Sequence, residues 1–189
     1  MTRIVAGIAG GRRLEVPKSG TRPTSERVRE AMFSRLEHYG YVANCAILDL
    51  YAGSAALGLE AKSRGARLVV SVEANRAAAQ VASANAASTG LDIVVVNQRA
   101  ESYVALPPSE LFDLALLDPP YDVTEEELAA VLEMLVAHLA SDAMVVVERR
   151  KQSPEPRWPA ALVADDVRKW GDTRVWSAVV EREGTRIEP

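Results

Sequence analysis

The chain has 189 residues, 48% apolar and 25% charged, with a net charge of −4, one cysteine and two histidines. That length suits one compact α/β domain with a small appendage rather than two full domains, and the composition suits a packed globule rather than a disordered chain. A lone Cys45 excludes an internal disulfide and a cysteine-bound zinc, His38 and His138 are too few for a histidine-rich metal site, and no apolar run approaches the roughly 20 residues that cross a bilayer. Met1-Thr2-Arg3-Ile4-Val5-Ala6-Gly7 lacks the apolar core of a secretory signal. The expectation is a cytoplasmic protein that needs neither membrane nor metal.

Charge is unevenly spread. Residues 1–36 hold eight basic and three acidic residues, whereas the remainder holds fourteen basic and twenty-three acidic ones. This asymmetry suggests a basic arm on residues 1–40 that contacts phosphates, with Arg3, Arg12, Arg13, Lys18, Arg22 and Arg27 as its cations. The plainer alternative is a solvated helix face.

In chain order, Ile4-Val5-Ala6 and Leu14-Glu15-Val16 flank Gly7-Ile8-Ala9-Gly10-Gly11, which predicts a small β-hairpin. Thr24-Ser25-Glu26 opens a helix carrying Val28, Ala31, Met32 and Leu36 at helical spacing and ending near Gly40. Short apolar strands are predicted at Ala46–Tyr51, Leu68–Glu73, Ile93–Val96, Leu111–Asp118 and Met144–Glu148. Alanine-rich helices at 55–64, 75–89, 99–105 and 124–139 separate them. This alternation predicts a doubly wound Rossmann-like sheet over residues 41–189. Residues 161–170 and 174–181, joined by Gly171-Asp172-Thr173, add an antiparallel edge hairpin and bring the count to about seven strands.

Ligands of such sheets bind beyond the strand C-termini, where the crossovers diverge. The first strand runs through Asp49, Tyr51 and Gly53 into Ser54-Ala55-Ala56-Leu57-Gly58, a dinucleotide-like glycine spacing with alanine in the middle. A Cβ there obstructs a pyrophosphate, whereas S-adenosylmethionine carries no phosphate. Glu73, with Ala74 behind it at the tip of the second strand, offers acceptors for two ribose hydroxyls. Asp49 can orient the turn or meet a ligand ammonium. Simple turn and packing glycines remain the alternative.

The fourth strand ends in Asp118-Pro119-Pro120-Tyr121. Two prolines fix φ and remove amide donors, leaving a stiff ledge of carbonyl acceptors beside a carboxylate. Such acceptors would grip the hydrogens of an exocyclic base amine and aim its lone pair at a methyl sulfonium, while Tyr121 offers a ring for stacking. A proline-terminated surface turn is the alternative.

Asp118-Pro119-Pro120-Tyr121 resembles the fourth motif of amine-directed nucleic-acid methyltransferases, which act on adenine N6, cytosine N4 or guanine N2. Arg3–Gly7, Gly10–Leu14, Thr21–Ala31, Leu48–Ser54 and Trp170–Thr173 together resemble the RsmD family, whose members methylate the N2 amine of one guanine in bacterial 16S ribosomal RNA. The resemblance implies S-adenosylmethionine as cofactor, S-adenosylhomocysteine as product, and 16S RNA or the assembling small subunit as partner of a monomeric enzyme. It makes Asp118, Pro119, Pro120 and Tyr121 the catalytic ledge. Asp49, Tyr51, Gly53, Ser54, Glu73 and Ala74 become cofactor contacts, with Arg22 and Thr24 near the cofactor or target base. Two positions depart from the family pattern. Ala55 replaces a glycine, and Arg99 replaces the acid before the adenine-contacting Ala100, leaving the backbone at Ala100 for that contact. The alternatives are an amine methyltransferase acting on DNA adenine or a protein amide, and a non-catalytic ribosome-assembly factor.

Overall fold

The computed structural model describes residues 2–17 and 25–181. Lys18, Arg22 and Thr24, expected to touch RNA or cofactor, lie outside the described residues. A two-residue ladder of β1 (Thr2–Arg3) and β2 (Arg13–Leu14) precedes α1 (Glu26–His38). Then follow β3 (Ala46–Leu50), α2 (Ala56–Ser63), β4 (Leu68–Val72), α3 (Arg76–Thr89), β5 (Val94–Val96), α4 (Ala100–Val104), β6 (Phe112–Leu117) and α5 (Glu125–Leu135). A 3-10 turn over Val136–His138 leads to β7 (Leu139–Arg150), β8 (Leu162–Trp170) and β9 (Thr173–Val180).

The seven larger strands form one sheet in the order β5-β4-β3-β6-β7-β9-β8. β3 to β7 are parallel, β9 runs antiparallel to β7, and β8 antiparallel to β9. The doubly wound sheet with an antiparallel final hairpin is thus what forms. β3 is buried at all five positions, as a parallel strand covered on both faces must be. One face packs Ile47, Leu114, Leu116 and Val146 against Val28, Met32, Phe33 and Leu36 of α1 and Leu57 and Ala61 of α2. The other packs Leu48, Leu50, Leu117 and Val147 against Val104 of α4 and Leu128, Val131 and Leu135 of α5.

Local chemistry sets the helix ends. Ser25 caps α1 by accepting the Val28 N–H, and Thr124 and Glu127 form a reciprocal capping box on α5. α5 stops earlier than its periodicity suggests, and β7 starts at Leu139 rather than Met144. The added strand segment Leu139-Ala140-Ser141-Asp142-Ala143 is too polar to read as a buried strand, and it joins β6 through Phe112 across a register shift.

The N-terminal segment is clipped to the sheet's helices by long-range polar bonds. The wholly buried Glu60 carboxylate on α2 accepts the Val5 and Ala6 N–H groups at 2.7 and 3.0 Å, and pairs with Arg64 at 2.8 Å and Arg29 at 3.4 Å. Gly7 sits at φ +81°, where an added Cβ would lie 2.0 Å from the Ser63 carbonyl oxygen, so no other residue fits there. Buried Asn85 on α3 accepts the Glu15 N–H and donates to the carbonyls of Glu15 and Ser54.

Candidate active site

β3 leads to β4 and β5 on one side, while β6 and β7 lie on the other, so the crossovers diverge over the ends of β3 and β6. A cavity of about 730 Å³ opens there. Its walls include Asp49, Tyr51, Gly53 and Ser54 after β3, Glu73, Ala74 and Asn75 after β4, Arg99 to Glu101 at α4, and Asp118 and Pro120 after β6. Residues far apart in the chain meet here because every contributing strand points its C-terminus the same way.

The β3–α2 turn is built from left-handed backbone at Tyr51 (φ +61°), Gly53 (φ +55°) and Ala55 (φ +60°). Glu73 holds this turn in place. One carboxylate oxygen accepts the Gly53 N–H at 2.7 Å and the other accepts the Asn75 N–H at 2.7 Å. An added Cβ at Gly53 would meet no protein atom within 4 Å, so the glycine leaves open space along the cavity wall. A carboxylate at the second strand tip, an exposed backbone turn and a cavity of this volume suit a nucleoside carrying a short zwitterionic tail.

Asp49 lies beneath the turn, 1% exposed, accepting the Gly58 N–H at 3.0 Å and the Ser71 hydroxyl at 3.2 Å. Of the two roles open to it, the one visible is orienting the turn. A Cβ at Gly58 would meet Ser71 Oγ at 2.5 Å and Asp49 Oδ2 at 3.0 Å, so this glycine permits close approach of α2 to the strands. Burial pushes the Asp49 carboxyl up to about 7, and the nearby charge of Glu73 adds to the rise against the lowering by its two donors. A carboxyl raised on folding binds its proton more tightly in the folded chain, so its contribution to stability grows as pH falls through 7. Lowering pH from 8 to 5 is therefore expected to add about 2–3 kcal/mol from this group. Urea unfolding of the wild type and Asp49→Asn across that range checks it, and equal pH slopes for the two would count against it.

Ala55 behaves differently from the expectation. Its methyl is fully buried among Ile4, Leu59, Ala82 and Leu91, and the residue is absent from the cavity wall. The Cβ therefore points away from the ligand space and cannot be what would obstruct a pyrophosphate; the left-handed φ turns it into the core. At Arg99 the replaced acid has a neighbour in its stead. Glu101, two residues on, lines the cavity and pairs with Arg99. Tyr51 is largely buried nearby, and burial together with the charges of Glu101 and Glu127 pushes its hydroxyl up to about 12.

The ledge divides. Asp118 and Pro120 line the cavity, Pro119 is buried, and Tyr121 stands 53% exposed outside the wall. The guanidinium carbon of Arg150, from the end of β7, lies 3.6 Å from the centroid of the Tyr121 ring. Pro120 O accepts the Val123 N–H at 3.1 Å, so one expected carbonyl acceptor already serves the turn. Buried Arg149 donates to Val123 O at 3.1 Å and pairs with Glu125, fixing the loop after the ledge.

The basic residues of the arm also divide. Arg3 pairs with Glu26, and Arg12 donates to the carbonyls of Ser88 and Thr89 at the end of α3. Arg13 and Arg27 are exposed. Arg29, counted with them in the charge of the first 36 residues, is wholly buried against Glu60. Val16 and Pro17, just after the β-ladder, line the cavity. Nothing in their residue types signalled that placement, and the same holds for Asn85. The Arg149-Arg150 pair had a readable signal: it directly follows the predicted strand Met144–Glu148, next in chain order after the one that leads to Asp118.

The fold is that of the Rossmann-like S-adenosylmethionine-dependent methyltransferases. One solved example, magnesium protoporphyrin IX methyltransferase from Synechocystis PCC 6803 with bound SAM, superimposes with a TM-score of 0.66 at 13% identity, covering 82% of this chain and 79% of that one. Residues 2–179 match the family model described as Conserved hypothetical protein 95. Ribosomal RNA small subunit methyltransferase D of Escherichia coli is 37% identical over 162 residues, 84% of this chain and 79% of that protein. The solved Escherichia coli protein yhhF shares the fold at a TM-score of 0.84 and 31% identity, covering 95% of this chain and 98% of that one. The chain belongs to this family, the RsmD family that its motifs resemble.

Proposed function

We propose that this protein transfers a methyl group from S-adenosylmethionine to the N2 amine of a guanine in 16S ribosomal RNA. The reading rests on one observation above the others: Asp118 and Pro120 line the same cavity as Gly53 and Glu73. A cofactor held by the turn and the Glu73 carboxylate would thus have its methyl-bearing end near the ledge. The name of the Escherichia coli relative supports ribosomal RNA as the substrate.

The bound cofactor supplies an electrophilic methyl on a sulfonium. The open wall at Gly53, the Ser54 and Ala74 backbone, Glu73 and the wall at Ala100 would hold and orient it. Asp118 and the Pro119 carbonyl accept the hydrogens of the amine, localising its lone pair without a strong base. Asp118 or water takes the proton that leaves. Tyr121 stacks against the extruded base, worth about 1–3 kcal/mol for base–aromatic stacking. The contribution of the protein is positioning plus electrostatic polarisation. Residues 1–40 contact RNA, with Arg13 and Arg27 as phosphate contacts among the described residues, and residues 41–189 carry the methyl transfer. The enzyme acts as a cytoplasmic monomer on 16S RNA or the assembling small subunit.

Labelled S-adenosylmethionine offered with undermodified small-subunit particles, DNA and protein in parallel tests the reading. Label in small-subunit RNA, recovered as N2-methylguanine at one position, is the expected result. Label confined to DNA or protein overturns the substrate, and RNA binding without any transfer favours an assembly factor. In the same assay, Arg13→Gln with Arg27→Gln is expected to flatten the salt dependence of RNA binding by about 0.7 per lost contact.

A further inference from the structure

Seven of the fourteen basic residues that follow residue 36 fall between Arg149 and Arg174, a stretch with only four acids. The rest of that long segment is strongly acidic, so the concentration is hidden in the overall charge. The fold brings Arg150, Lys151, Lys169 and Arg174 around the end of β7 and the β8–β9 turn. The register turns Lys169 and Arg174 to one face of the sheet and Arg150 to the other. Arg149, Arg157 and Arg168 are taken up by Glu125, Glu126 and Asp166. Arg150 pairs in register with Thr173 and Lys169 with Arg174, and the Lys151 N–H donates to Asp172 O at 2.8 Å. Arg150, Lys151 and Lys169 are exposed. The side chains of Lys151 and Lys169 make no hydrogen bond or ion pair with the described residues.

Arg150 ties this surface to the ledge, because its guanidinium lies over Tyr121, three residues beyond Asp118. An exposed cation–π contact is worth only about 0.5–1 kcal/mol. A base stacking on Tyr121 therefore displaces the guanidinium cheaply and sends its charge toward the adjoining phosphate. A ring for stacking beside exposed cations is the combination found on surfaces that track a single strand. We infer that the end of β7 and the β8–β9 turn form a second RNA-docking surface, separate from residues 1–40, in which Arg150, Lys151 and Lys169 grip phosphates flanking the target nucleotide. This rests on the reading of the site as RNA-directed.

The test uses the full chain and a fluorescein-labelled single-stranded RNA, with anisotropy measured across a salt series. Lys151→Gln with Lys169→Gln is expected to bind about tenfold more weakly at low salt and to lose about 1.4 from the slope of log affinity against log salt, about 0.7 per contact. Adding Arg150→Gln removes about 0.7 more. Melting temperature and S-adenosylmethionine affinity should match those of the wild type, which separates lost docking from lost folding. Wild-type affinity and slope in the triple variant overturn the surface but leave the RNA-directed reading standing. A wild-type protein without salt-dependent RNA binding overturns both.

Discussion

Asp118→Ala is expected to lower kcat for methyl transfer to small-subunit RNA by about 10²–10³-fold, the usual effect of deleting one preorganised polar group that faces a reacting centre. Cofactor affinity should stay close to that of the wild type, because Glu73 holds the turn through the Gly53 and Asn75 N–H groups. The loss should fall on kcat rather than on the KM for RNA, since the role proposed for the carboxylate is toward the amine and not the phosphates. Asp118→Asn keeps one acceptor oxygen and removes the charge, so it should be milder. Equal losses in the two variants would assign the effect to the charge rather than to the acceptor. Activity within a few-fold of wild type in Asp118→Ala would remove the ledge from the chemistry.

Glu60→Ala is expected to destabilise the fold by about 3–5 kcal/mol, the penalty for leaving a buried charge without its partner. Arg29 and Glu60 are both wholly inaccessible, and Arg64 is nearly so. Burial already lowers the Arg29 guanidinium from its ordinary value, and Glu60 is the first of the charges that oppose this. The substitution also strips the Val5 and Ala6 N–H groups of their acceptor and empties the space the side chain fills. Glu60→Gln keeps the acceptor oxygen and should lose less. Urea unfolding at pH 7 checks both, and a loss below about 1 kcal/mol for Glu60→Ala would place this pair with exposed ion pairs. Because the clipped segment continues to Val16 and Pro17 in the cavity wall, the variant should also bind S-adenosylmethionine more weakly.

Much of the architecture was legible in the residues because its causes are local. Apolar runs bounded by glycine and helix-capping side chains report burial on both faces, and they located β3, β4 and β6 to within a residue or two. Ser25, within Thr24-Ser25-Glu26, announced a helix start through its own hydroxyl. Since parallel strands align their C-termini, Asp49, Glu73 and Asp118 belonged at one edge once the alternation was recognised. What stayed hidden was decided largely by partners 20 to 55 residues away. Glu60 reads as an ordinary helix acid until Val5, Ala6, Arg29 and Arg64 close around it. Ala55 reads as a residue facing the ligand until a left-handed φ turns its methyl into the core. Tyr121 reads as part of the cavity wall, yet stands outside it under Arg150, a neighbour supplied by another strand. Residue types and spacing determine which strands and helices form and which ends meet. Side-chain direction and charge pairing are settled only when the sheet closes, because they depend on contacts that no local window of the chain contains.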